Sequence, residues 1–137
     1  LVFISSPAKA IGQCISHFGE PVPIFQDYNL PNVGMASRDG FGRPFIVVNP
    51  HVLNQFPYLA QRFWFYHECA HHALPPHMNN ETNADCFAVR NMRDVGELRN
   101  PAAVRDMLAS ISQLPGSAWG HLPGPSRARN MMNCIQW

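Results

Sequence analysis

The apolar positions of the chain change their spacing along its length, from short runs in the first third to helical periodicity afterwards. Arg43–Asn49 is the strongest run, because its aromatic and β-branched residues lie between turn-forming residues and so predict a strand. Leu1–Ile4, Val22–Phe25 and Gly34–Ser37 are shorter strand candidates. Arg38–Gly42 contains an Asp-Gly pair and predicts a hairpin loop between the last two strands.

Start and stop residues predict where helices lie in the first half of the chain. Ser5 or Ser6 before Pro7 starts a helix over about 7–18, and Asn49-Pro50-His51 starts a short turn or helix. The longest apolar run of helical length lies between Pro57 and the Pro75-Pro76 pair, which cannot continue a helix. This run is expected to be the central helix of the fold.

Three further helices are expected in the second half. One begins at an asparagine cap in Asn79-Asn80 and ends near Gly96. The next opens at Asn100-Pro101 and ends at Pro115-Gly116. One face of it carries its apolar residues, namely Val104, Met107, Leu108, Ile111 and Leu114. A short final helix, capped by Ser126, carries Cys134.

This order of elements predicts an α+β fold. A short antiparallel or mixed β-sheet packs on the central helix, and a mostly helical C-terminal half follows. The length of 137 residues indicates one domain, 1–137, large enough to bury a core. The first residue is not methionine, so we expect a processed or trimmed chain from which any targeting segment has been removed.

Composition and charge exclude several classes of function. The net charge of +1 gives no support for binding to nucleic acid or for a polybasic membrane contact. No apolar run approaches the roughly 20 residues that cross a bilayer, so no membrane span is expected. The chain is expected to be a monomer whose partner is a substrate.

The central helix contains a pattern of metal-binding type, His67-Glu68-x-x-His71. On a helix the two histidines lie roughly 40° apart on one face and one turn apart, so both imidazoles can reach one zinc ion. Glu68 lies roughly 100° from His67, where it can hold a metal-bound water without being a ligand. The alternative is an amphipathic helix that carries histidines without any metal.

Ten residues later, Glu81 and Asp85 share a face of the next helix. Catalytic zinc takes three protein ligands and a water, and Glu81 can be the third ligand. Asp85 can accept the remaining ring N–H of a ligand histidine and fix its tautomer. Two alternatives remain: Glu81 can merely favour the positive end of the helix dipole, and His77 is a rival third ligand.

The two helices together resemble a known family. His67-Glu68-x-x-His71 followed by Glu81-x-x-Ala84-Asp85-x-Phe87-Ala88 resembles the gluzincin metallopeptidases, the thermolysin-like clan, and especially its small single-domain members. It is also similar to the domain of the prenyl-protein-processing membrane proteases. ImmA/IrrE-type regulatory peptidases carry a similar Glu-x-x-Ala signature. The resemblance is strong over residues 63–90 and loose elsewhere.

The resemblance implies a small zincin-like domain with a defined set of roles. His67, His71 and Glu81 would be the zinc ligands, Glu68 the general base and Asp85 the partner of a ligand histidine. The family also pairs substrate with the open edge of a strand before the metal helix, but sequence does not say which hairpin strand that is. The short link from His71 to Glu81 lacks the insertion found in thermolysin.

These residues predict a zinc-dependent peptidase acting on a peptide or protein. Zinc would lower the pKa of its bound water to about 7, and Glu68 would pass the proton to the leaving amine. A zinc hydrolase of a small amide or ester is the first alternative. A binding module in which the metal only joins two helices is the second, although such a site has no use for Glu68.

The remaining histidines receive different interpretations. His121 lies in a proline-stiffened loop, and it is either an ordinary loop residue or the group that stabilises the developing oxyanion, as a histidine does in thermolysin. His72 is about 100° beyond His71 on the helix and is expected beside the site or on the surface. His17 and His51 are expected to be ordinary surface or core residues.

The four cysteines allow three disulfide pairings. Cys69 lies about 200° from His67, away from the metal and the second helix, so Cys14 on the N-terminal helix is its expected partner. Cys86 is then left for Cys134, and Cys14–Cys134 is a weaker alternative. An even cysteine count favours a secreted or periplasmic protein, whereas four buried thiols in the cytoplasm is the competing interpretation.

Overall fold

The computed structural model of the chain describes residues 2–3, 14–112 and 124–136. A four-stranded mixed sheet lies before the main helices, in the order β1-β2-β4-β3. Its strands are β1 (Val2–Phe3), β2 (Ile24–Gln26), β3 (Gly34–Arg38) and β4 (Pro44–Val48). β4 pairs in parallel with β2 and antiparallel with β3, and β1 pairs antiparallel with β2.

The β3–β4 hairpin forms where the Asp-Gly pair predicted it. The carboxylate of Asp39 accepts the backbone N–H groups of Phe41 and Arg43 at 2.8 and 3.0 Å, and Gly42 supplies the positive φ of 78° that closes the loop. Four of the five residues of β4 are buried, and β4 lies between β2 and β3, so β3 is at the edge of the sheet. The structure therefore answers the question that sequence left open.

Helices predominate in the described chain after β4. They are α1 (Pro50–Leu53), α2 (Tyr58–Ala73), a 3₁₀ turn (Pro76–Met78), α3 (Glu81–Asp94), α4 (Pro101–Ser112) and α5 (Gly124–Cys134). The small sheet and the mostly helical C-terminal half together confirm the predicted α+β class. Among the described residues, none of the helices is both long and apolar enough to cross a bilayer.

Helix α2 is central because most of its surface is covered. Phe63, Trp64 and Ala70 are buried in the core, which α2 shares with the sheet, α3 and α4. The helix begins after Pro57, as expected, and its last turn ends before the Pro75-Pro76 pair. The side that carries Glu68 and His71 lines an open cleft.

Helix α3 starts and stops at the predicted signals. The side chain of Asn80 accepts the backbone N–H of Asn83 at 2.8 Å, so Asn80 is the N-cap and Glu81 is the first helical residue. Gly96, with a φ of 82°, follows the C-cap Val95. This cap places the carboxylate of Glu81 at the end of α3 that faces α2.

The two disulfides join Cys14 to Cys69 and Cys86 to Cys134, which confirms the favoured pairing. The supporting prediction of a helix over 7–18 is wrong for residues 14–18, which form an extended segment and a turn. Ser16 explains this, because its hydroxyl accepts the backbone N–H groups of Phe18 and Glu20. The rest of that expected helix, 7–13, is outside the described residues.

The C-terminal boundaries differ modestly from the prediction. In α4, the buried residues are Val104, Met107, Leu108 and Ile111, as the apolar periodicity indicates. Leu114 and Pro115-Gly116 are outside the described residues. Helix α5 begins at Gly124, so Ser126 lies in its first turn and is not its cap, which corrects that expectation.

Candidate metal centre

Helices α2 and α3 bring three metal-ligating side chains to one point. His67 Nε2 and His71 Nε2 are 3.2 Å apart. Glu81 reaches both rings, with Oε2 3.1 Å from His67 Nε2 and Oε1 3.2 Å from His71 Nε2. The helical spacing of the histidines sets the first distance, and the packing of α3 on α2 sets the other two.

The spacing of these three side chains, the donor triangle, is close to that of zinc ligands. Two donors bound at about 2.0–2.1 Å with a tetrahedral angle lie about 3.3–3.4 Å apart. The two Nε2 atoms are 3.2 Å apart, and the Glu81 carboxylate faces both rings, with Oε2 3.1 Å from His67 Nε2 and Oε1 3.2 Å from His71 Nε2. Two imidazole nitrogens and one carboxylate are also a usual ligand set of catalytic zinc. The residues present therefore fit a zinc ion in both chemistry and dimensions.

His67 is held from behind by a buried carboxylate. Its Nδ1 is 2.7 Å from Asp85 Oδ1, and both residues are almost completely buried. Asp85 in turn accepts Arg127 Nη2 on Oδ1 at 2.6 Å and Arg127 Nε on Oδ2 at 3.0 Å. The carboxylate thus favours a His67 tautomer with its proton on Nδ1, which leaves the Nε2 lone pair directed at the triangle.

His71 also has an oxygen acceptor at Nδ1, supplied by a different residue. Its Nδ1 is 2.7 Å from Asn79 Oδ1, an amide oxygen in the turn that precedes α3. The amide oxygen can only accept, so it too favours the tautomer with the proton on Nδ1. In this tautomer pair, two Nε2 lone pairs face one another across 3.2 Å, an arrangement that a shared cation stabilises.

The electrostatics of the site follow from burial and from these contacts. Burial opposes the protonation of His67, but its hydrogen bonds with Asp85 and Glu81 outweigh this and raise its pKa to about 9. For His71, burial again acts against the charged form, and the contacts with Glu81 and Asn79 still raise the pKa. Burial acts to raise the pKa of Glu81, yet the two histidines hold it below its ordinary value.

Glu68 lies on the cleft wall next to the triangle but is absent from it. Its side chain is buried, and burial raises its pKa, an effect that the positive charges of His67 and His71 oppose. It also accepts the backbone N–H of Ala36 from β3. A raised pKa makes this carboxylate a stronger base than a solvent-exposed glutamate.

An open cleft of about 480 Å³ runs between β3 and the histidines. Residues 34–38 line one side, and Glu68, His71, His72 and Glu81 line the other. In the sheet, Ala36 pairs with Ile46, whose N–H donates to Pro23 on the β2 side. The backbone groups of Ala36 therefore point away from β4 and toward the cleft.

Gly34 keeps this side of the cleft narrow. A Cβ atom at this position would lie 2.2 Å from the carbonyl oxygen of Val47 and 2.6 Å from the Trp64 ring. Any side chain here would push the edge strand away from α2. The position of β3 relative to the metal-binding helix therefore depends on glycine.

The other histidines lie outside the donor triangle. His72 is buried on the cleft wall, and its Nε2 is 2.9 Å from the carbonyl oxygen of Phe45. Of the two expected positions, beside the site or on the surface, it has the first. His77, the rival third ligand, is exposed in the 3₁₀ turn and is not part of the triangle. His17 and His51 are exposed. His121 lies outside the described residues, and its role stays a prediction.

Comparison of the chain with protein-family models, with curated proteins and with solved structures gives no significant match. The features that indicate a function are therefore the geometry of the site and the short motif in α2 and α3.

Sequence reasoning missed two residues that the structure brings to the centre, Asn79 and Arg127. Asn79 had no distinguishing signal, since it lies in a turn and acts through its position alone. Arg127 had one. It is spaced four and eight residues from Met131 and Ile135, and all three are buried, so a cation occupies the apolar face of α5.

Proposed function

We propose that the protein is a zinc-dependent peptidase of gluzincin type, with His67, His71 and Glu81 as the ligands. One observation carries the proposal: two imidazole Nε2 atoms and a carboxylate converge to within 3.2 Å while both Nδ1 atoms face oxygen acceptors. An oxygen acceptor at Nδ1 of each histidine is the arrangement that metal-binding histidines usually show, and ordinary surface histidines do not require it. The similarity of the motif to gluzincins supports the same assignment.

Zinc at this position would supply a Lewis acid that polarises a carbonyl and lowers the pKa of water to about 7. The residues of the chain do the rest. Glu68, adjacent to the ligands and with a raised pKa, accepts a proton from the attacking water and returns it to the leaving amine. Asp85 and Asn79 keep the two histidines in the metal-binding tautomer.

The edge strand supports a peptide as the substrate. β3 forms one side of the cleft; the N–H of Ala36 faces Glu68, and the carbonyl oxygen of Ala36 points into the cleft. An extended peptide can add to such an edge as another strand, with its scissile bond next to Glu68. A small amide or ester would make no use of this strand, which favours the peptidase over the small-molecule hydrolase.

The two disulfides support a secreted or periplasmic location, because such bonds persist in oxidising compartments. We propose this location for the peptidase. Expression with and without an oxidising compartment, followed by a count of free thiols, tests it.

The experiment that tests the function compares wild type with Glu68→Gln on a fluorogenic peptide library after loading with zinc. Wild type is expected to cleave peptides and to lose this activity with a chelator. Glu68→Gln is expected to keep one zinc per chain and to lose hydrolysis, because the amide cannot accept a proton. Metal content is measured by atomic absorption on the same samples.

Different results point to different alternatives. Cleavage of a small ester or amide but of no peptide would favour the small-molecule hydrolase. Bound zinc without any hydrolysis would favour the binding module. A Glu68→Gln variant that lacks zinc, or that cleaves at the wild-type rate, would contradict the role assigned to Glu68.

A further inference from the structure

Arg127 is a fully buried cation that the proposed reaction does not use. It lies on α5, has 0% exposure, and contacts Asp85 through Nη2 and Nε at 2.6 and 3.0 Å. Its guanidinium carbon lies 5.6 Å from the centre of the Phe63 ring, so its flat face is covered too. A charge is costly to bury unless strong partners compensate it, and Asp85 is the partner.

The two bonds from Arg127 engage both oxygens of Asp85. A carboxylate held by a single bond can rotate, whereas one held at both oxygens by a planar guanidinium has a fixed plane. Asp85 Oδ1, which receives Arg127 Nη2, is the same atom that lies 2.7 Å from His67 Nδ1. The guanidinium thus fixes the plane of the Asp85 carboxylate, and the carboxylate fixes the orientation of the imidazole.

We infer that Arg127 is a positioning residue that acts through Asp85 to aim His67 at the metal. The inference rests on the proposed function for the identity of the metal. It assigns a task to α5, the C-terminal helix, which contributes no ligand to the site. Helix α5 aims a ligand of α2 by way of a carboxylate on α3.

The attachment of α5 to α3 suits this task. The Cys86–Cys134 bridge joins the residue after Asp85 to the last residue of α5. Arg90 on α3 donates from Nε to the carbonyl oxygen of Cys134 at 3.1 Å, and Arg93 donates to the carbonyl oxygen of Gln136. These contacts bind the C-terminal end of α5 to α3, and Arg127 itself joins the first half of α5 to Asp85 on the same helix.

A purely structural ion pair is the competing interpretation, and the chain contains a matched control for it. Arg62 is also buried, on α2, and it contacts Glu97 through Nε and Nη2 at 3.1 and 2.7 Å. Neither Arg62 nor Glu97 belongs to the donor triangle of His67, His71 and Glu81, and Glu97 lies beyond the end of α3. Arg62 variants therefore report the loss of a buried ion pair without a loss of positioning.

The experiment measures the zinc affinity of wild type, Arg127→Met and Arg62→Met by competition with a chromophoric chelator, alongside thermal unfolding of the metal-free proteins. We expect Arg127→Met to bind zinc about 10–100-fold more weakly and Arg62→Met to retain affinity within about 3-fold, even if both lose stability. Equal affinity losses in the two variants would overturn the inference. So would an unchanged affinity in Arg127→Met.

A double-mutant cycle separates positioning from general damage. If Arg127 acts through Asp85, then Arg127→Met should cost little further zinc affinity when Asp85 is already Asn. Additive losses in Asp85→Asn/Arg127→Met would mean that the two residues act independently, against the inference. The absorption spectrum of bound cobalt gives a second readout, since a misaimed imidazole should alter the cobalt bands in Arg127→Met and not in Arg62→Met.

A second pair of variants and the results for wild type distinguish the remaining outcomes. If Arg127→Met does not fold, Arg127→Lys keeps the charge without the two-bond geometry, and it must still bind zinc more weakly than Arg62→Lys. If wild type binds zinc but hydrolyses nothing, the proposed function fails while the affinities still test the inference. If wild type binds no zinc, the metal assignment fails, and the inference fails with it.

Discussion

Asn79 and His71 are joined by a hydrogen bond of 2.7 Å between the Asn79 amide oxygen and Nδ1 of the ring. The bond spans eight residues of sequence and connects the turn before α3 to the last turn of α2. It directs the opposite ring nitrogen at His67 and Glu81. The His71–Asn79 pair therefore has the same function at one ligand that Asp85 has at the other.

We expect Asn79→Ala to weaken zinc binding about 10-fold or more, because His71 loses the acceptor that fixes its tautomer and orientation. Isothermal titration with zinc measures this. Asn83→Ala is the matched control, since the Asn83 side chain donates to the carbonyl oxygen of Met78 in the same turn. Equal affinities in the two variants would refute the role of Asn79.

Glu81 and Asp85 should respond differently to substitution although they share one face of α3. Glu81→Ala should lose most of its zinc, because Glu81 supplies one corner of the donor triangle. Asp85→Asn should retain zinc with an affinity about 10–100-fold lower, because Asp85 contacts only the far side of His67. A metal-loaded crystal structure with Asp85 within about 2.2 Å of zinc would reverse the two assignments.

Zinc should stabilise the protein more at higher pH. The pKa of His67 is raised from 6.5 to about 9, so in the metal-free protein its charged form contributes stability that is complete below about pH 6.5 and is lost as the pH rises through about 9. Zinc needs the unprotonated ring, so protons compete with it across the same window. The increase in Tm on adding zinc should therefore grow as the pH rises toward about 9.

Thermal unfolding with and without zinc at several pH values measures this effect. His71→Ala serves as the control, because without one corner of the triangle the zinc-dependent shift should be small at every pH. A shift in wild type that stays constant with pH would mean that neither histidine binds the metal.

The two disulfides close long loops and should contribute substantially to stability. Their cysteines are 55 and 48 residues apart, for which chain entropy gives about 4 kcal/mol each. Replacing either cysteine pair by serine should lower the free energy of unfolding in urea by an amount of this order. Peptide mapping without reductant should recover the Cys14–Cys69 and Cys86–Cys134 peptides, and a Cys69–Cys86 peptide would contradict the fold.

The sequence by itself determined those parts of the site that depend on helical spacing. His67, Glu68 and His71 lie within one helix, and the rotation of 100° per residue fixes their relation before any packing occurs. The same rotation turns Cys69 away from His67, which is why Cys86 could be set aside as its disulfide partner. Each of these results depends on local geometry alone.

The expected helix at 14–18 shows where local signals fail. Its start signal depended on Pro7, but Ser16 bonds to nearby backbone groups and Ile15 pairs with Pro21, so the segment turns instead. The disulfide from Cys14 to Cys69 on α2 also fixes Cys14 against the core. Tertiary contacts outweigh weak local preferences of this kind.

Only the tertiary structure decided which distant residues complete the centre. Arg127 is 42 residues from Asp85, and the identity of β3 as the edge strand depends on which neighbour β4 pairs with. No local periodicity encodes such contacts, because they depend on how whole helices and strands pack. Helical rotation could therefore predict that His67, Glu68 and His71 lie close together, whereas packing alone brought Glu81, Asn79, Asp85 and Arg127 to them.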